Sequence, residues 1–166
     1  MKLLFNLSIL FAFIQCSHSQ INETSKMESK NQNEFPVKKT ETEWKEKLSP
    51  EQYAVLRESE TERPFSGKYN MHFEKGTYTC GACGEPLFTS KSKFDGHCGW
   101  PSFDQEIAEG KIIEKTDTSY GMVRTEILCA NCGSHLGHVF DDGPTETGLR
   151  YCVNSLSLDF EEEEDK

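Results

Sequence analysis

Cys129-Ala130-Asn131-Cys132-Gly133-Ser134-His135-Leu136-Gly137-His138-Val139-Phe140 joins a cysteine knuckle to a short β-leaning run. In C-x-x-C-G the glycine lets backbone amides turn toward both sulfurs of a tetrahedral metal site. Cys80-Gly81-Ala82-Cys83-Gly84 repeats the pattern upstream. Four thiolates suit one structural, coordinatively closed Zn²⁺ held by Cys80, Cys83, Cys129 and Cys132. The long interval between the knuckles means that the metal joins two distant hairpins rather than organising one small ribbon. In a secreted chain the same cysteines could form two disulfides, and a single C-x-x-C could serve as a redox pair. Paired knuckles with matching glycines favour zinc.

Working outward, turn residues recur every few positions and the runs between them are short. Gly76–Thr79, Lys111–Ile113, Gly121–Leu128, His135–Phe140 and Leu149–Phe160 read as strands of a mainly β, mostly antiparallel domain. One helix is well marked: Ser49 caps, Pro50 takes the first helical position and Gln52 completes a capping box, predicting a helix to about Glu60.

The ends read differently. Lys2 precedes an apolar run from Leu3 to Ile14, and small Ser17 and Ser19 follow, which is the pattern of a secretory signal peptide cleaved after Ser19. That run is shorter than the roughly 20 residues of a permanent membrane span, and no other apolar run approaches this length. It also lacks the arginines of a mitochondrial presequence. Residues 20–40 are polar and charged and read as a flexible linker containing a glycosylation sequon at Asn22. The expected layout is thus a signal peptide over 1–19, a linker over 20–40, a catalytic-sized domain over 41–161 and an acidic tail over 162–166. The predicted location is the secretory pathway, secreted or in the endoplasmic reticulum lumen, because the acidic end forms no KDEL-type retrieval signal. A formal net charge of −10 over 166 residues gives nucleic acid no electrostatic support as a partner.

Removing the signal peptide removes Cys16, which leaves Cys98 and Cys152 beyond the knuckles. Cys152 lies in Leu149-Arg150-Tyr151-Cys152-Val153-Asn154-Ser155-Leu156. On a strand Arg150, Cys152 and Asn154 share one face, and Tyr151 and Val153 the other. A guanidinium beside the sulfur favours the thiolate a nucleophile needs, and the Asn154 amide can donate to an approaching oxygen. The alternative is a buried structural cysteine on an edge strand. Cys98 opens the loop Cys98-Gly99-Trp100-Pro101-Ser102-Phe103, from which a sulfur can reach another. Trp100 either anchors that loop in the core or walls a small apolar pocket beside the nucleophile. His135 and His138 are candidate proton donors, metal ligands or satisfied core groups, the ligand role being the least favoured once four cysteines fill the metal site.

Together, Cys98–Phe103, His135–Phe140 with Asp142-Gly143-Pro144, and Arg150–Ser155 closely resemble the peptide-methionine (R)-S-oxide reductases, the B-type methionine sulfoxide reductases. The likeness runs in order from about Trp44 to Phe160 and includes both knuckles. It implies two antiparallel sheets with a few short helices, and an oxidoreductase that repairs methionine-R-sulfoxide, in peptides rather than as the free amino acid. Cys152 would then be the nucleophile, left as a sulfenic acid, and Cys98 the resolving cysteine, whose disulfide with Cys152 is reduced by thioredoxin or a similar dithiol. The resemblance further implies His135, His138 and Asn154 around the substrate oxygen, Arg150 beside the thiolate and Trp100 against the terminal methyl. The chain departs from many members in having Gly96-His97 before the resolving cysteine, where Ser-Gly is common. Two other classes are weighed against this one: a secreted zinc module that binds a protein through its acidic surface, and a domain whose cysteines are all paired as disulfides. Neither accounts for the Arg150, Cys152, Asn154 face or for the two histidines.

Overall fold

Thr40 and Ser49 each start a short helix by the same device. In α1 (Glu41–Lys47) the Thr40 hydroxyl accepts from the Glu43 N–H while the Glu43 carboxylate accepts from the Thr40 N–H. In α2 (Pro50–Glu58) Ser49 and Gln52 make the same exchange, with Pro50 in the first turn. α2 stops within two residues of its expected end, where Ser59 turns into the left-handed region at φ 57°. α1 is a finding beyond the sequence reading, which had counted Thr40 as linker.

The computed structural model describes residues 35–163. The expected signal peptide, residues 20–34 of the expected linker with Asn22, and residues 164–166 of the expected tail lie outside the described residues. Where the linker is described, it is held: the Val37 N–H donates to the Asn131 carbonyl at 2.8 Å and Val37 packs on the core. The Phe35 ring lies against Gly133, so an apolar pair gives this stretch surface to bury at the second knuckle. Among the described residues no helix is long and apolar enough to cross a membrane.

Among the described residues nine strands form two antiparallel sheets. The smaller has the order β2–β1–β9, from β1 (Gly76–Cys80), β2 (Pro86–Thr89) and β9 (Leu158–Glu162). The larger has the order β3–β4–β8–β7–β6–β5. Its members are β3 (Lys93–Phe94), β4 (Ser102–Phe103), β5 (Ile112–Asp117), β6 (Arg124–Cys129), β7 (His135–Phe140) and β8 (Arg150–Val153). The described residues are therefore mainly β, with two antiparallel sheets and two short α-helices. Aromatic side chains join the sheets: Phe88 of β2 stacks on Phe103 of β4 at 4.3 Å, and Tyr78 of β1 meets Phe103 edge-on at 5.0 Å. All three are fully buried, a position worth about 1.5–3 kcal/mol for each large apolar side chain. Trp44 of α1 and Leu56 of α2 are equally buried, and the Arg57 guanidinium lies 5.2 Å over the Trp44 ring.

The structure corrects three expected spans. Leu149–Phe160 is not one strand but two, β8 in the large sheet and β9 in the small one, separated by a single 3₁₀ turn at Ser155–Ser157. The buried Glu62 carboxylate makes that turn by accepting the N–H groups of Ser155 (2.7 Å) and Leu156 (2.9 Å). The strand expected from Gly121 begins instead at Arg124, because Tyr120 and Gly121 both take positive φ in the preceding turn. Glu161 and Glu162, the start of the acidic run, belong to β9, opposite Thr77 and Gly76 of β1.

Candidate active site

Each knuckle ends a strand. Cys80 closes β1 and Cys129 closes β6, and in both turns the following glycine takes a positive φ, 77° at Gly84 and 71° at Gly133, donating back to the first cysteine's carbonyl. The four sulfurs lie within 4.8 Å of one another, with Cys80 to Cys132 and Cys83 to Cys129 both at 3.7 Å. Metal–sulfur bonds of about 2.3 Å place the corners of a tetrahedron about 3.8 Å apart, so the donor set and its spacing fit one thiophilic divalent ion. Disulfides need sulfurs at about 2.05 Å. A metal here ties the β1–β2 hairpin of the small sheet to the β6–β7 hairpin of the large one.

The second pair of thiols is built by strand alternation. Along β8 Tyr151 and Val153 are buried while Arg150 and Cys152 face the partly open side, as the period of two requires. β4 pairs with β8 so that Ser102 stands opposite Cys152, and the loop before β4 curls back until Cys98 Sγ lies 3.6 Å from Cys152 Sγ. Gly96 is packed against the Ser102 side chain, where a larger residue would collide. His97, at φ 50°, is an exposed ring turned onto Asp95 at 3.1 Å.

One proton is shared across the sulfur pair. The hydrogen bond from Cys152 holds the Cys98 thiol down, to about 5, and Ser102 and the Arg150 charge assist. The same bond, together with burial, pushes Cys152 up, and Arg150 opposes both. In this closed arrangement the negative charge sits on Cys98 with Cys152 as its donor. The Arg150 guanidinium is itself anchored, forked onto Asp142 at 2.7 and 2.9 Å and stacked 4.5 Å over Phe140.

Cys152 opens into a small pocket of about 100 Å³. Trp100 and Phe140 give it apolar walls; His138, Asn154 and Arg124 give it polar ones. Gly137 sits opposite Val153 where β7 pairs with β8, and any side chain there would overlap the Cys152 carbonyl. Trp100 is steered by its indole N–H, which donates to the Glu62 carbonyl at 3.2 Å. Asn154 is fully engaged as a bridge: its Oδ1 accepts the Glu62 N–H at 3.1 Å and its Nδ2 donates to the Leu136 carbonyl at 3.1 Å.

On a regular strand His135 and His138 would point to opposite faces, because they are an odd number of residues apart. A register slip in the pairing with β6, where Ile127 faces Gly137 but Leu128 faces His135, brings the rings to 5.7 Å. Each imidazole has a carboxylate. His138 Nε2 donates to Asp117 at 2.9 Å, and His135 Nδ1 donates to Glu126 at 2.7 Å. Asp117 also receives Arg124 at 2.6 Å, and its carboxyl is held well below the usual range, first by hydrogen bonds from Ser119 and then by His138. Burial lowers the pKa of His138, and the Asp117 contact partly restores it.

Cys98, Cys152, His138, Asn154, Arg150 and Trp100 thus converge, whereas His135 faces a neighbouring recess rather than the Cys152 pocket. Five contributors escaped the sequence reading: Phe140, Arg124, Glu62, Asp117 and Glu126. Phe140 was legible, since it lies two residues from His138 on one strand. Glu62 and the two carboxylates sit in ordinary polar surroundings, and only strand pairing and the Glu62 loop bring them to the site.

The SelR domain model matches residues 48–162, well over half of the chain. Proteins named peptide methionine sulfoxide reductase MsrB are close in sequence. That of Variovorax paradoxus is 59% identical over 130 residues, covering 75% of this chain and 96% of its own. That of Agrobacterium fabrum is 58% identical over 125 residues (75% and 93%), and that of Methanosarcina barkeri 57% over 129 residues (78% and 91%).

Proposed function

The chain belongs to the SelR-domain family of peptide methionine sulfoxide reductases, and from that membership we propose that it reduces the R epimer of peptide-bound methionine sulfoxide, using Cys152 and Cys98 in turn. The observation that carries this reading is a thiol at the foot of a small half-apolar pocket with a second thiol 3.6 Å behind it.

The chemistry follows from that arrangement. Passage of the shared proton to Cys98 leaves Cys152 as the thiolate, which attacks the sulfoxide sulfur as His138, in its imidazolium form, protonates the oxygen, a poor leaving group until it carries a proton. The sulfur–oxygen bond of the substrate breaks, methionine leaves reduced by two electrons, and Cys152 is left oxidised by two as a sulfenic acid. The Cys98 thiol then displaces the hydroxyl as water, forming the Cys98–Cys152 disulfide, which a thioredoxin-like dithiol reduces by exchange. Forming the roughly 2.05 Å bond asks only a short approach of the two sulfurs. For attack from Cys152, the epimer that sets its methyl on Trp100 and Phe140 sets its oxygen on the His138 and Asn154 side; the mirror arrangement puts the oxygen on an apolar wall and leaves it unpaired. Arg150 favours the thiolate form of Cys152, and Asn154 and Glu62 hold the pocket's shape.

Cys80, Cys83, Cys129 and Cys132 would hold a structural Zn²⁺, which supplies cross-linking of the two sheets and no step of the reaction. The Lys2–Ser19 pattern supports a place in the secretory pathway, where a dithiol reductant other than the cytosolic one would close the cycle.

The test is dithiothreitol-driven reduction of a peptide carrying separated R or S sulfoxide, with residues 20–166 and its Cys152→Ser variant in parallel. Consumption of the R epimer alone, abolished in Cys152→Ser, is the expected result. No turnover of either epimer by protein that binds zinc stoichiometrically returns the chain to the class of secreted zinc modules.

A further inference from the structure

Beside the Cys152 pocket lies a second recess of about 610 Å³, and the two share Thr61, Arg124 and His138. The small pocket, about 100 Å³, has room for a single side chain, so a free amino acid would leave the larger recess empty. The recess has the volume of a ligand site rather than of a packing fault.

One wall of it holds an unspent polar atom. The His135 side chain is 3% exposed, and its Nε2 is buried without a hydrogen bond among the described residues. Glu126 takes up Nδ1, so Nε2 is the ring nitrogen left open: it accepts when the imidazole is neutral and donates when it is charged. The absent partner is a hydrogen-bonding group, and a peptide unit offers both an N–H and a carbonyl.

The charges around the recess have the same bias. Arg124 is committed to Asp117, and Lys115 reaches Glu126 at 3.6 Å. Glu58 and Glu60, at the C-terminal end of α2, line the recess, are exposed, and their carboxylates make no hydrogen bond or ion pair among the described residues. The reversal of the chain at Ser59 brings both to the same recess. Negative charge exceeds positive, and the two unspent carboxylates stand where a long cationic side chain would reach.

We propose that this recess binds the polypeptide flanking the reactive methionine sulfoxide and selects segments carrying Lys or Arg beside it. The inference rests on the reductase reading above and names its substrate class. A peptide group of the flanking backbone pairs with His135 Nε2 while a neighbouring cation meets Glu58 and Glu60.

The experiment compares kcat/KM for three R-sulfoxide peptides, identical except that Lys, Ala or Glu flanks the oxidised residue on both sides, using the wild-type protein and the Glu58→Gln/Glu60→Gln variant. The expected order is Lys, then Ala, then Glu. The Lys to Glu ratio should be about tenfold at low salt, shrinking with ionic strength and falling toward unity in the variant, as exposed ion pairs worth up to about 1 kcal/mol each require. A folding defect in the variant would lower all three rates together and leave the ratio intact, which would count against the inference, as would equal wild-type rates on all three peptides. If the Ala peptide is not reduced at all, the failure lies with the reductase reading instead.

Discussion

Cys98 Sγ stands 3.6 Å from Cys152 Sγ, although 54 residues separate them and each is delivered by a different element, a curled loop and strand β8. The contact does two opposing things. It places a second thiol where a sulfenic acid on Cys152 would form, and it favours the charge of the pair on Cys98 by lowering that thiol and raising Cys152. In Cys98→Ser the principal cause that raises Cys152 is gone while Arg150 remains, so the midpoint for alkylation of Cys152 by iodoacetamide should move to lower pH than in the wild type. The same variant should yield one equivalent of methionine per chain without added reductant and keep a sulfenic acid trappable by dimedone. An unchanged or higher alkylation midpoint would show that Cys98 does not govern the thiolate.

The proposed proton donor gives a second expectation. His138 acts as an acid only as imidazolium, burial lowers its pKa, and the Asp117 bond raises it back in part. A depressed pKa means that the acid form is present at low pH and lost as pH rises through it, so kcat should fall on the alkaline side. Asp117→Asn removes the ionic partner and should carry that limb to lower pH, leaving Cys152 alkylation unaffected. An alkaline limb that stays in place in this variant would remove His138 from the acid role.

What the sequence made legible follows the range of each interaction. The knuckles, the Ser49 box and the alternation of Arg150 with Cys152 are local, and a reader of neighbouring residues finds them. The His135–His138 pairing is not, because it depends on a register slip against β6 that no residue on β7 announces. The single long strand read from Leu149 to Phe160 failed for a similar reason: its break is made by Glu62, about 93 residues away in sequence. α1 was missed although its signal, Thr40 with Glu43, is local, because the charged composition around it reads as solvated chain.

Glu62 is the node that this distance hides. Its carboxylate caps the turn after β8, its N–H holds Asn154 and its carbonyl holds the Trp100 indole. Gln offers one oxygen where two are used, so Glu62→Gln should cost about 2 kcal/mol of stability, the range of a buried hydrogen bond to a charged group. kcat/KM on the R epimer should fall together with discrimination against the S epimer, since Trp100 and Asn154 lose their fixed positions. A variant that is destabilised yet keeps full discrimination would show Glu62 to be structural alone.

The four-thiol cluster ties two hairpins, and the Lys111–Glu85 ion pair beside it reaches from the same β1–β2 turn to the start of β5. β1–β2 and β6–β7 belong to different sheets, and the knuckles bring Cys80 to Cys132 and Cys83 to Cys129. Because ligand geometry exists only in the folded chain, metal binding is coupled to folding. Mass measurement under native conditions should find one zinc per chain, and chelation or Cys132→Ser should remove it with a loss of at least about 3 kcal/mol, a fall in Tm of about 10 °C. The Cys98–Cys152 pair uses no knuckle residue, so metal-depleted protein held below its lowered Tm should still form that disulfide on reaction with one equivalent of substrate. Loss of disulfide formation at a temperature where the depleted protein remains folded would place the metal in the chemistry rather than in the scaffold.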